Sequence, residues 1–541
     1  MLSTALQTDA AGNFIVPGGY PCPSPTAELY LVASGGSINA TVGSNSGIQF
    51  LTAIGACGQV AASSQFTVNE ATTAAAAWAF AQFLAPGSQL GASASNTPGL
   101  ANAVATFHSL VNPISGTSPG IGYPQTATSA APRVDLMADL LNTCAASTSQ
   151  TPCGQLFSGA TAPGGPAPEN TLDAALSLVH HPDLNVQTLY VQAATSTAFG
   201  RVPATPPLDW TLFISFSGGG MFEPGALGIS SSGDVWVSSY PGVASRFATT
   251  GEPITPSGIT GLGLNSVYGL AIDAQDNVWI ANESSALSIN GGLGSVTELN
   301  SQGLPVSGAT GYSAGGLDFP VAIAIDPNST AWTIDYGNSH LTLFNASGQP
   351  VSGAAGYSNT SLIFPQAIAI DASHNAWLAN EGGVTITKVS PDGTQFSSYN
   401  CCNAPAGLAI DQTGDVWVAN YYGDSVSEVA PDGSIISSGY TSPSLNHPQG
   451  IAVDGNGKIW VANYRGTALT ELAGAKDVTP GEVLSPAAGW APDAGLNEAY
   501  ALAIDASGNV WVTNFGSNLL TKYIGVAAPV RTPMLGPVQA P

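Results

Sequence analysis

The chain has 541 residues, enough for two or three domains, and carries 34 acidic against 9 basic residues for a net charge of −25. Without clustered Lys and Arg it has no nucleic-acid footprint, and binding to anionic lipid is disfavoured. No apolar run approaches the roughly 18 residues that span a bilayer, so no membrane insertion is expected. The 44% apolar and 8% charged residues, with 64 Gly and 39 Pro, indicate a turn-rich β protein with a packed core.

The first 60 residues predict a short β segment, because TDAAGNFIVPGGYPCPSPTAELYLVASGG reads as strand, turn, strand. A hairpin of this kind is marginal alone, and no basic and apolar leader precedes it. We therefore expect the β remnant of a truncated domain in an exported protein, located outside the cell or at its surface. A complete cytoplasmic protein with reduced thiols is the alternative.

Six cysteines are present, and none form the paired spacings of a zinc site. Cys144 and Cys153 flank a short loop, which favours a local disulfide, and Cys22 could pair with Cys57. An even number of cysteines in an acidic, lysine-poor chain favours an oxidising compartment. We expect no metal and no cofactor.

Residues 61–195 predict a small Ala-rich helical domain, followed by a linker over 196–208. Asn69 caps the first helix and Pro86-Gly87 ends it. Four further helices are predicted at 97–112, 132–144, 169–181 and 184–194. His108, His180 and His181 are interpreted as structural, the last two as a cap that suits the helix dipole.

From residue 209 the sequence repeats, and each repeat contains one tryptophan. The seven repeat tryptophans are Trp236, Trp279, Trp332, Trp377, Trp417, Trp460 and Trp511. An aspartate lies six residues before six of them, and Ser230 takes that place in the first repeat. The segment GLAIDQTGDVWVAN shows the physics: a buried apolar strand, a turn that the Asp can cap, and a second strand rich in β-branched residues.

Two more strands follow in each repeat, so four strands recur every 40 to 53 residues, which is the pattern of β-propeller blades. The sequence predicts a mainly β chain with a seven-bladed propeller over 209–541, or six blades as second choice. The segment DWTLFISFSGG at 209–219 has no three partners before it, so it should supply the outer strand of the last blade and close the ring.

The repeat resembles NHL-type repeats, with the pattern P-x-G-I-A-V-D-x-x-G-x-I-W-V-A-N seen in HPQGIAVDGNGKIWVANY. The whole chain is similar to secreted bacterial NHL-repeat proteins, including the tail IGVAAPVRTPMLGP. The blades are also similar to those of seven-bladed streptogramin lyases, which use a His and a Glu beside a metal at the propeller mouth. Here the second strands end in Asn or Asp, Glu283 and Glu381 follow one residue later, and only His447 lies near the rim.

A ligand site is expected at the propeller mouth, where the loops that enter the inner strands meet those that leave the second strands. The candidate residues come from blades five to seven: Tyr421, Tyr422, Asp424, His447, Tyr464, Arg465 and Phe515, with Cys401 and Cys402 in the entering loop of blade five. Aromatic and polar groups together suit a carbohydrate, a peptide or a small apolar ligand. Rim packing is the alternative, and Cys401-Cys402 is either a rigid disulfide ring or two free thiols.

No nucleophile elbow, H-E-x-x-H motif or phosphate-binding loop is present, and no catalytic residue is predicted. The leading hypothesis is an exported, monomeric, non-enzymatic binding protein whose partner is an unknown ligand such as a carbohydrate, a peptide or a cell-surface component. A lyase or hydrolase acting at the same mouth is the alternative. A mouth lined only by Asn, Ser and aromatic residues would exclude the enzyme, and a structural spacer would have no pocket.

Overall fold

The computed structural model describes residues 5–17, 21–36, 45–61, 63–85, 87–200, 202–283 and 294–541. An antiparallel hairpin comes first, formed by β1 (Glu28–Ser34) and β2 (Gln49–Ala56). The disulfide between Cys22 and Cys57 joins the two ends of this hairpin, as predicted.

Six α-helices and one short strand pair follow the hairpin within the described residues. They are α1 (Glu70–Ala79), the pair β3 (Leu84–Ala85) and β4 (Gln89–Leu90), α2 (Thr97–Leu110), α3 (Ala131–Ala145), α4 (Thr151–Gly159), α5 (Thr171–His180) and α6 (Val186–Ala193). Five of the helices were predicted, and the Asn69 side chain caps α1 by accepting from Thr72 N.

Two details of the helical region differ from the prediction. Helix α1 ends at Ala79 because Phe83 N and Leu84 N both turn back to Phe80 O, so the predicted end at Pro86-Gly87 was wrong, Pro86 itself lying outside the described residues. Helix α4 was not predicted. It begins at Thr151 and contains Cys153, whose disulfide with Cys144 the spacing did predict.

Seven antiparallel sheets form the blades of the propeller. The strands in chain order are β5 (Phe213–Phe216), β6 (Pro224–Ile229), β7 (Val235–Ser239), β8 (Val243–Phe247), β9 (Ile259–Thr260), β10 (Val267–Ile272), β11 (Val278–Asn282), β12 (Ser295–Leu299), β13 (Pro320–Ile325), β14 (Ala331–Asp335), β15 (His340–Phe344), β16 (Tyr357–Ser358), β17 (Pro365–Ile370), β18 (Ala376–Asn380), β19 (Thr385–Val389), β20 (Phe396–Asn400), β21 (Pro405–Ile410), β22 (Val416–Asn420), β23 (Ser425–Val429), β24 (Ile435–Thr441), β25 (Pro448–Val453), β26 (Ile459–Asn463), β27 (Leu469–Leu472), β28 (Ala499–Ile504), β29 (Val510–Asn514) and β30 (Leu519–Tyr523). Blade 1 begins at β6, and blades 2 to 7 begin at β10, β13, β17, β21, β25 and β28.

Strand β5 closes the ring. It pairs with β30, so that Phe216 lies opposite Leu520 and Phe213 opposite Tyr523. The last blade therefore takes three strands from the end of the chain and one from before blade 1. Both predictions, seven blades and closure by residues 209–219, are confirmed.

In blades 2 to 5 and 7 the aspartate of the repeat does more than cap its turn. Asp505 Oδ1 accepts from Ser507 N at 2.8 Å and from Asn509 N at 3.0 Å, while its Oδ2 accepts from the Trp511 indole at 2.9 Å. The same indole bond occurs in blades 2, 3, 4 and 5 at 3.1 to 3.4 Å. A tryptophan six residues after the aspartate therefore has its indole beside the carboxylate that caps the turn.

The helical region packs on the propeller face opposite the mouth, at blades 7 and 1. Asn96 Nδ2 donates to Ala506 O at 2.9 Å, and Asn102 Nδ2 donates to Ser232 O at 3.0 Å. One apolar core runs from β2 and the helices into β5 and blade 7, including Trp78, Trp210 and Trp511. These hydrogen bonds and the shared apolar core fix the helices to the propeller.

The C-terminal segment 525–541 crosses the same face. Ala528 N donates to Asp454 Oδ2 in blade 6, Val538 N to Ile410 O in blade 5, and Thr532 Oγ1 to Ser230 O in blade 1. Val530 and Val538 are buried. This segment joins blades that are not neighbours, and the mouth lies on the opposite face.

Candidate functional site

The mouth is built from one backbone contact repeated in all seven blades. The residue before each inner strand has φ between 48° and 52°, and its carbonyl accepts the N–H of the residue after the second strand at 2.9 to 3.3 Å. The residues before the inner strands are called the rim: Glu223, Ser266, Phe319, Phe364, Ala404, His447 and Glu498. The residues after the second strands are called the collar: Tyr240, Glu283, Tyr336, Glu381, Tyr421, Tyr464 and Phe515.

The rim residues hold a left-handed backbone that costs free energy for any residue with a side chain. None of the seven is glycine. Because the contact recurs in every blade, it orients the rim side chain and fixes the start of the collar residue. Five aromatic rings and two carboxylates are thereby held around one opening.

The Asn that ends most second strands is structural. Asn420 Nδ2 donates to Ser427 Oγ at 2.8 Å, and its Oδ1 accepts from Asn403 N at 3.2 Å. The same bridge from the entering loop to the third strand is made by Asn282, Asn380, Asn463 and Asn514. These side chains are buried and support the mouth without facing a ligand.

Asp335 replaces this Asn in blade 3. It is fully buried, its Oδ2 accepts from Thr342 Oγ1 at 3.0 Å, and its Oδ1 accepts from Asp318 N at 3.4 Å. Burial raises the pKa of Asp335 well above its ordinary value, and the charge of Asp318 raises it further. The folded protein therefore holds the proton of this carboxyl group to higher pH than the unfolded chain does.

We expect Asp335→Asn to raise the free energy of unfolding at pH 7 by about 1–2 kcal/mol. The unfolded chain loses the Asp335 proton near pH 4, whereas the folded chain holds it to higher pH, so the wild type loses stability as pH rises through this window. The gain should therefore shrink toward pH 4. Urea unfolding at pH 4 and pH 7 measures it, and the reverse change Asn420→Asp should destabilise. A gain that is equal at both pH values would contradict the prediction.

The structure brings four of the predicted site residues together. The Tyr421 ring lies 5.0 Å from Tyr422, 4.8 Å from His447 and 5.8 Å from Tyr464. Asp424 Oδ1 accepts from His447 N at 2.7 Å, so its role here is to fix the rim. Burial raises the pKa of Tyr421, and the adjacent Arg465 opposes that shift.

Phe515 and the two cysteines complete the predicted set. Phe515 lies in blade 7 and stacks on Tyr500 at 5.9 Å. Cys401 and Cys402 form a disulfide, which decides between the two alternatives, and both of their N–H groups donate to Val384 O at 3.1 Å. Cys401 is buried beneath the rim and Cys402 is half-buried.

The prediction missed the half of the mouth that blades 1 to 4 supply. Tyr240 packs near Tyr268 at 6.1 Å, and Tyr336 packs on Phe364 at 5.0 Å. The signal was available, because every collar residue directly follows the last residue of a second strand. The predicted site was restricted to blades five to seven, and this periodicity becomes visible only when all seven blades are compared.

Below the collar, one hydrogen bond crosses the channel. Gln366 Nε2 in blade 4 donates to Tyr500 OH in blade 7 at 3.3 Å. Burial raises the pKa of Tyr500, and the charges of Tyr268 and Glu381 add to that effect. The mouth therefore has a polar floor made by residues of opposite blades.

Glu283 and Glu381 are the two acidic members of the collar. Burial raises the pKa of each carboxyl group. Burial also raises the pKa of Tyr336, to which the Glu381 charge contributes. Among the described residues, no group of three or more His, Cys, Asp or Glu is placed to hold a metal ion.

Comparison with known proteins yields structural neighbours alone. No family model matches the chain, and no curated protein matches it. Similar solved structures include virginiamycin B lyase from Staphylococcus aureus, with 14% identity over 58% of this chain and 99% of that chain and a TM-score of 0.47. A streptogramin B lyase matches with 16% identity over 57% and 97% and a TM-score of 0.43. A gluconolactonase from Xanthomonas campestris matches with 14% identity over 59% and 91% and a TM-score of 0.35. The resemblance to NHL-type repeats stays a prediction.

Proposed function

We propose that this chain is an exported, non-enzymatic binding protein that recognises its ligand at the propeller mouth. The collar carries this proposal: five aromatic rings and two glutamates surround one opening above the Gln366–Tyr500 floor. Aromatic rings supply large contact areas at low entropic cost, and a few fixed polar groups orient what they hold. A carbohydrate or a peptide segment of a cell-surface component suits such a site.

The arrangement of the polar groups supports binding over catalysis. His447 Nδ1 lies 3.0 Å from Asn446 Oδ1, and the backbone of His447 is fixed by Asp424. Glu283 and Glu381 lie in blades 2 and 4, and none of the described hydrogen bonds joins either carboxylate to a base or a nucleophile. A nucleophile needs a partner within hydrogen-bond reach that can take its proton.

Export is supported by the three disulfides, since such bonds persist mainly in oxidising compartments. The part of the chain that the structure describes has no helix both long and apolar enough to cross a membrane.

A glycan and peptide array probed with the whole protein tests the proposed function. We expect Tyr421→Ala to weaken binding of the best probe about tenfold or more, because a central aromatic anchor is lost, whereas Tyr421→Phe keeps the ring and most of the affinity. Glu381→Gln should weaken binding too, and its matched control Glu482→Gln, at an exposed site outside the collar, should not. An array without hits, or hits that Tyr421→Ala leaves unchanged, would refute binding at the mouth.

An enzyme acting at the same mouth is the second candidate, favoured by the two glutamates. The mouth is not lined by Asn, Ser and aromatic residues only, which was the condition that would have excluded an enzyme. Chromogenic esters and glycosides, and a streptogramin B-type cyclic depsipeptide, provide the assay, with products followed by mass spectrometry. Turnover that Glu381→Gln abolishes would replace the binding proposal with the enzymatic one.

A further inference from the structure

The third strand of each blade places one side chain directly opposite the blade tryptophan. The pairs are Trp236 with Arg246, Trp279 with Glu298, Trp332 with Leu343, Trp377 with Lys388, Trp417 with Glu428, Trp460 with Glu471 and Trp511 with Lys522. Three partners are cations, three are glutamates, and blade 3 alone has an apolar residue.

The three cations lie over the faces of their tryptophans. Arg246 Cζ is 5.4 Å from its ring centroid, Lys388 Nζ is 4.9 Å away and Lys522 Nζ is 5.0 Å away. These distances are those of attractive cation–π contacts. The blade thus offers a cation site that the chain fills itself in blades 1, 4 and 7.

Blade 4 shows the complete site. Lys388 Nζ lies 3.6 Å from Asp371 Oδ2 and donates to Pro431 O at 2.8 Å. Pro431 begins the Pro-Asp-Gly turn of the next blade. A lysine ammonium is therefore held by an indole face, the turn aspartate of its own blade and a carbonyl of its neighbour.

Blade 3 has the same surroundings without the lysine. Trp332, Asp326 and Pro391, which begins the Pro-Asp-Gly turn of blade 4, line a cavity of about 430 Å³ beside Leu343. Asp392 of that turn lines it as well. We name this cavity, with these five residues, the blade-3 cage.

Asp326 brings an incompletely satisfied carboxylate to the cage. Asp326 is 5% exposed, and its Oδ2 accepts a long hydrogen bond of 3.4 Å from the Trp332 indole. In blade 4 the equivalent Asp371 Oδ2 receives the Trp377 indole at 3.1 Å and the Asn375 amide at 2.8 Å. Thr330 stands where blade 4 has Asn375, so the amide donor is missing in blade 3.

The nearest basic group does not take the place of the lysine. His374 Nδ1 lies 4.0 Å from Asp326 Oδ2 and 3.4 Å from Asn328 Nδ2, so it makes no hydrogen bond to the carboxylate. The cage lining holds neither lysine nor arginine, so Asp326 has no basic partner within hydrogen-bond reach among the residues that line it.

We propose that the blade-3 cage binds a primary ammonium group carried on an aliphatic chain, which is the chemistry of a lysine side chain. The Trp332 face and Asp326 take the ammonium, Pro391 O accepts one of its protons, and Leu343 and Val351 contact the methylene groups. His374 and Asp392 are partly or fully exposed, so the cage opens to solvent. This site lies away from the mouth and is independent of the function proposed there.

The test uses the whole protein and the indole N–H signals of its ten tryptophans in nitrogen-labelled NMR spectra. Trp332→Phe assigns the relevant signal. Two probes are titrated: n-butylammonium, and a neutral-capped pentapeptide with one central lysine, with n-butanol and sodium chloride as controls. We expect at least one amine probe to shift the Trp332 signal, and n-butanol to leave it unchanged.

The decisive variants place a basic side chain at position 343, inside the cage. Leu343→Lys and Leu343→Arg copy blades 4 and 1, and each should weaken amine binding about tenfold or more, because a tethered cation occupies the site. Leu343→Met, which matches the size without the charge, should bind within about twofold of the wild type. Tyr421→Ala should leave amine binding unchanged.

The two probes distinguish a small free amine from a lysine of a partner polypeptide. Binding of both probes supports a small free amine as occupant, and binding of the peptide alone supports a lysine of a partner polypeptide. A Trp332 signal that neither amine moves at millimolar concentration overturns the proposal. So does an amine that binds the two filled variants as tightly as the wild type.

Discussion

Replacing Asp505 by alanine should lower the free energy of unfolding by about 3–5 kcal/mol, the largest effect we expect from a single polar residue of this protein. Its carboxylate accepts from two backbone N–H groups, from the Asn509 amide at 2.8 Å and from the Trp511 indole at 2.9 Å. All of these donors belong to buried residues, so each is left without an acceptor in a place that water does not reach.

The first blade supplies the matched control. Ser230 stands at the position of Asp505, and its Oγ accepts from Asp234 N at 3.1 Å without any bond to Trp236. Ser230→Ala should therefore cost less than about 1 kcal/mol. Urea unfolding followed by tryptophan fluorescence measures both variants. Equal losses for Asp505→Ala and Ser230→Ala would show that the carboxylate does not organise the blade.

Removal of residues 527–541 should lower the free energy of unfolding by about 4 kcal/mol. This change exposes the face that Val530 and Val538 cover and deletes the hydrogen bonds to Asp454 and Ile410. Because these contacts reach blades 5 and 6 as well as blades 7 and 1, the unfolding transition should also broaden as the blades lose a common support.

A shorter deletion isolates the effect of the covering segment. Removing residues 540–541 takes away the exposed Ala540 and the half-buried Pro541, with the bond from Ser93 Oγ to Pro541 O, but keeps Val538 and its bond to Ile410 O, so it should cost less than about 1 kcal/mol. Chemical unfolding of both shortened chains gives the comparison. A long deletion as stable as the short one would mean that the segment lies on the propeller without stabilising it.

Much of this architecture was readable from the sequence because a blade is a local structure. The Asp-to-Trp spacing reflects bonds within six residues, as between Asp505 and Trp511, and it recurs in six of the seven repeats. Ring closure by Phe213–Phe216 followed from counting strands, since an unpaired first strand and a last blade of three strands complete each other. The short loop between Cys144 and Cys153 predicted their disulfide, and the sequence allowed the pairing of Cys22 with Cys57 that the structure shows.

Half of the mouth was predicted, and the other half was missed for a physical reason. The Tyr421, His447 and Tyr464 group is carried by neighbouring blades, so residues close in the repeat order are close in space. Glu381 and Tyr336 belong to the same ring, but their importance depends on the channel axis, which no single repeat contains. The Gln366–Tyr500 bond crosses that axis between opposite blades and has no signature in sequence spacing.

The sequence by itself predicted the seven blades, their closure and the Cys144–Cys153 disulfide, because these depend on contacts within one blade or one loop, whereas it left the state of Cys401 and Cys402 open. The tertiary structure decided which Asn residues are supports, that residues 525–541 cover the face opposite the mouth, and that blade 3 has a cage without its lysine. Each of these depends on a neighbour from another blade or from the end of the chain. Position 343 shows the difference. The sequence shows only that leucine stands where blade 4 has lysine, whereas the structure shows that Trp332, Asp326 and Pro391 line a cavity beside it.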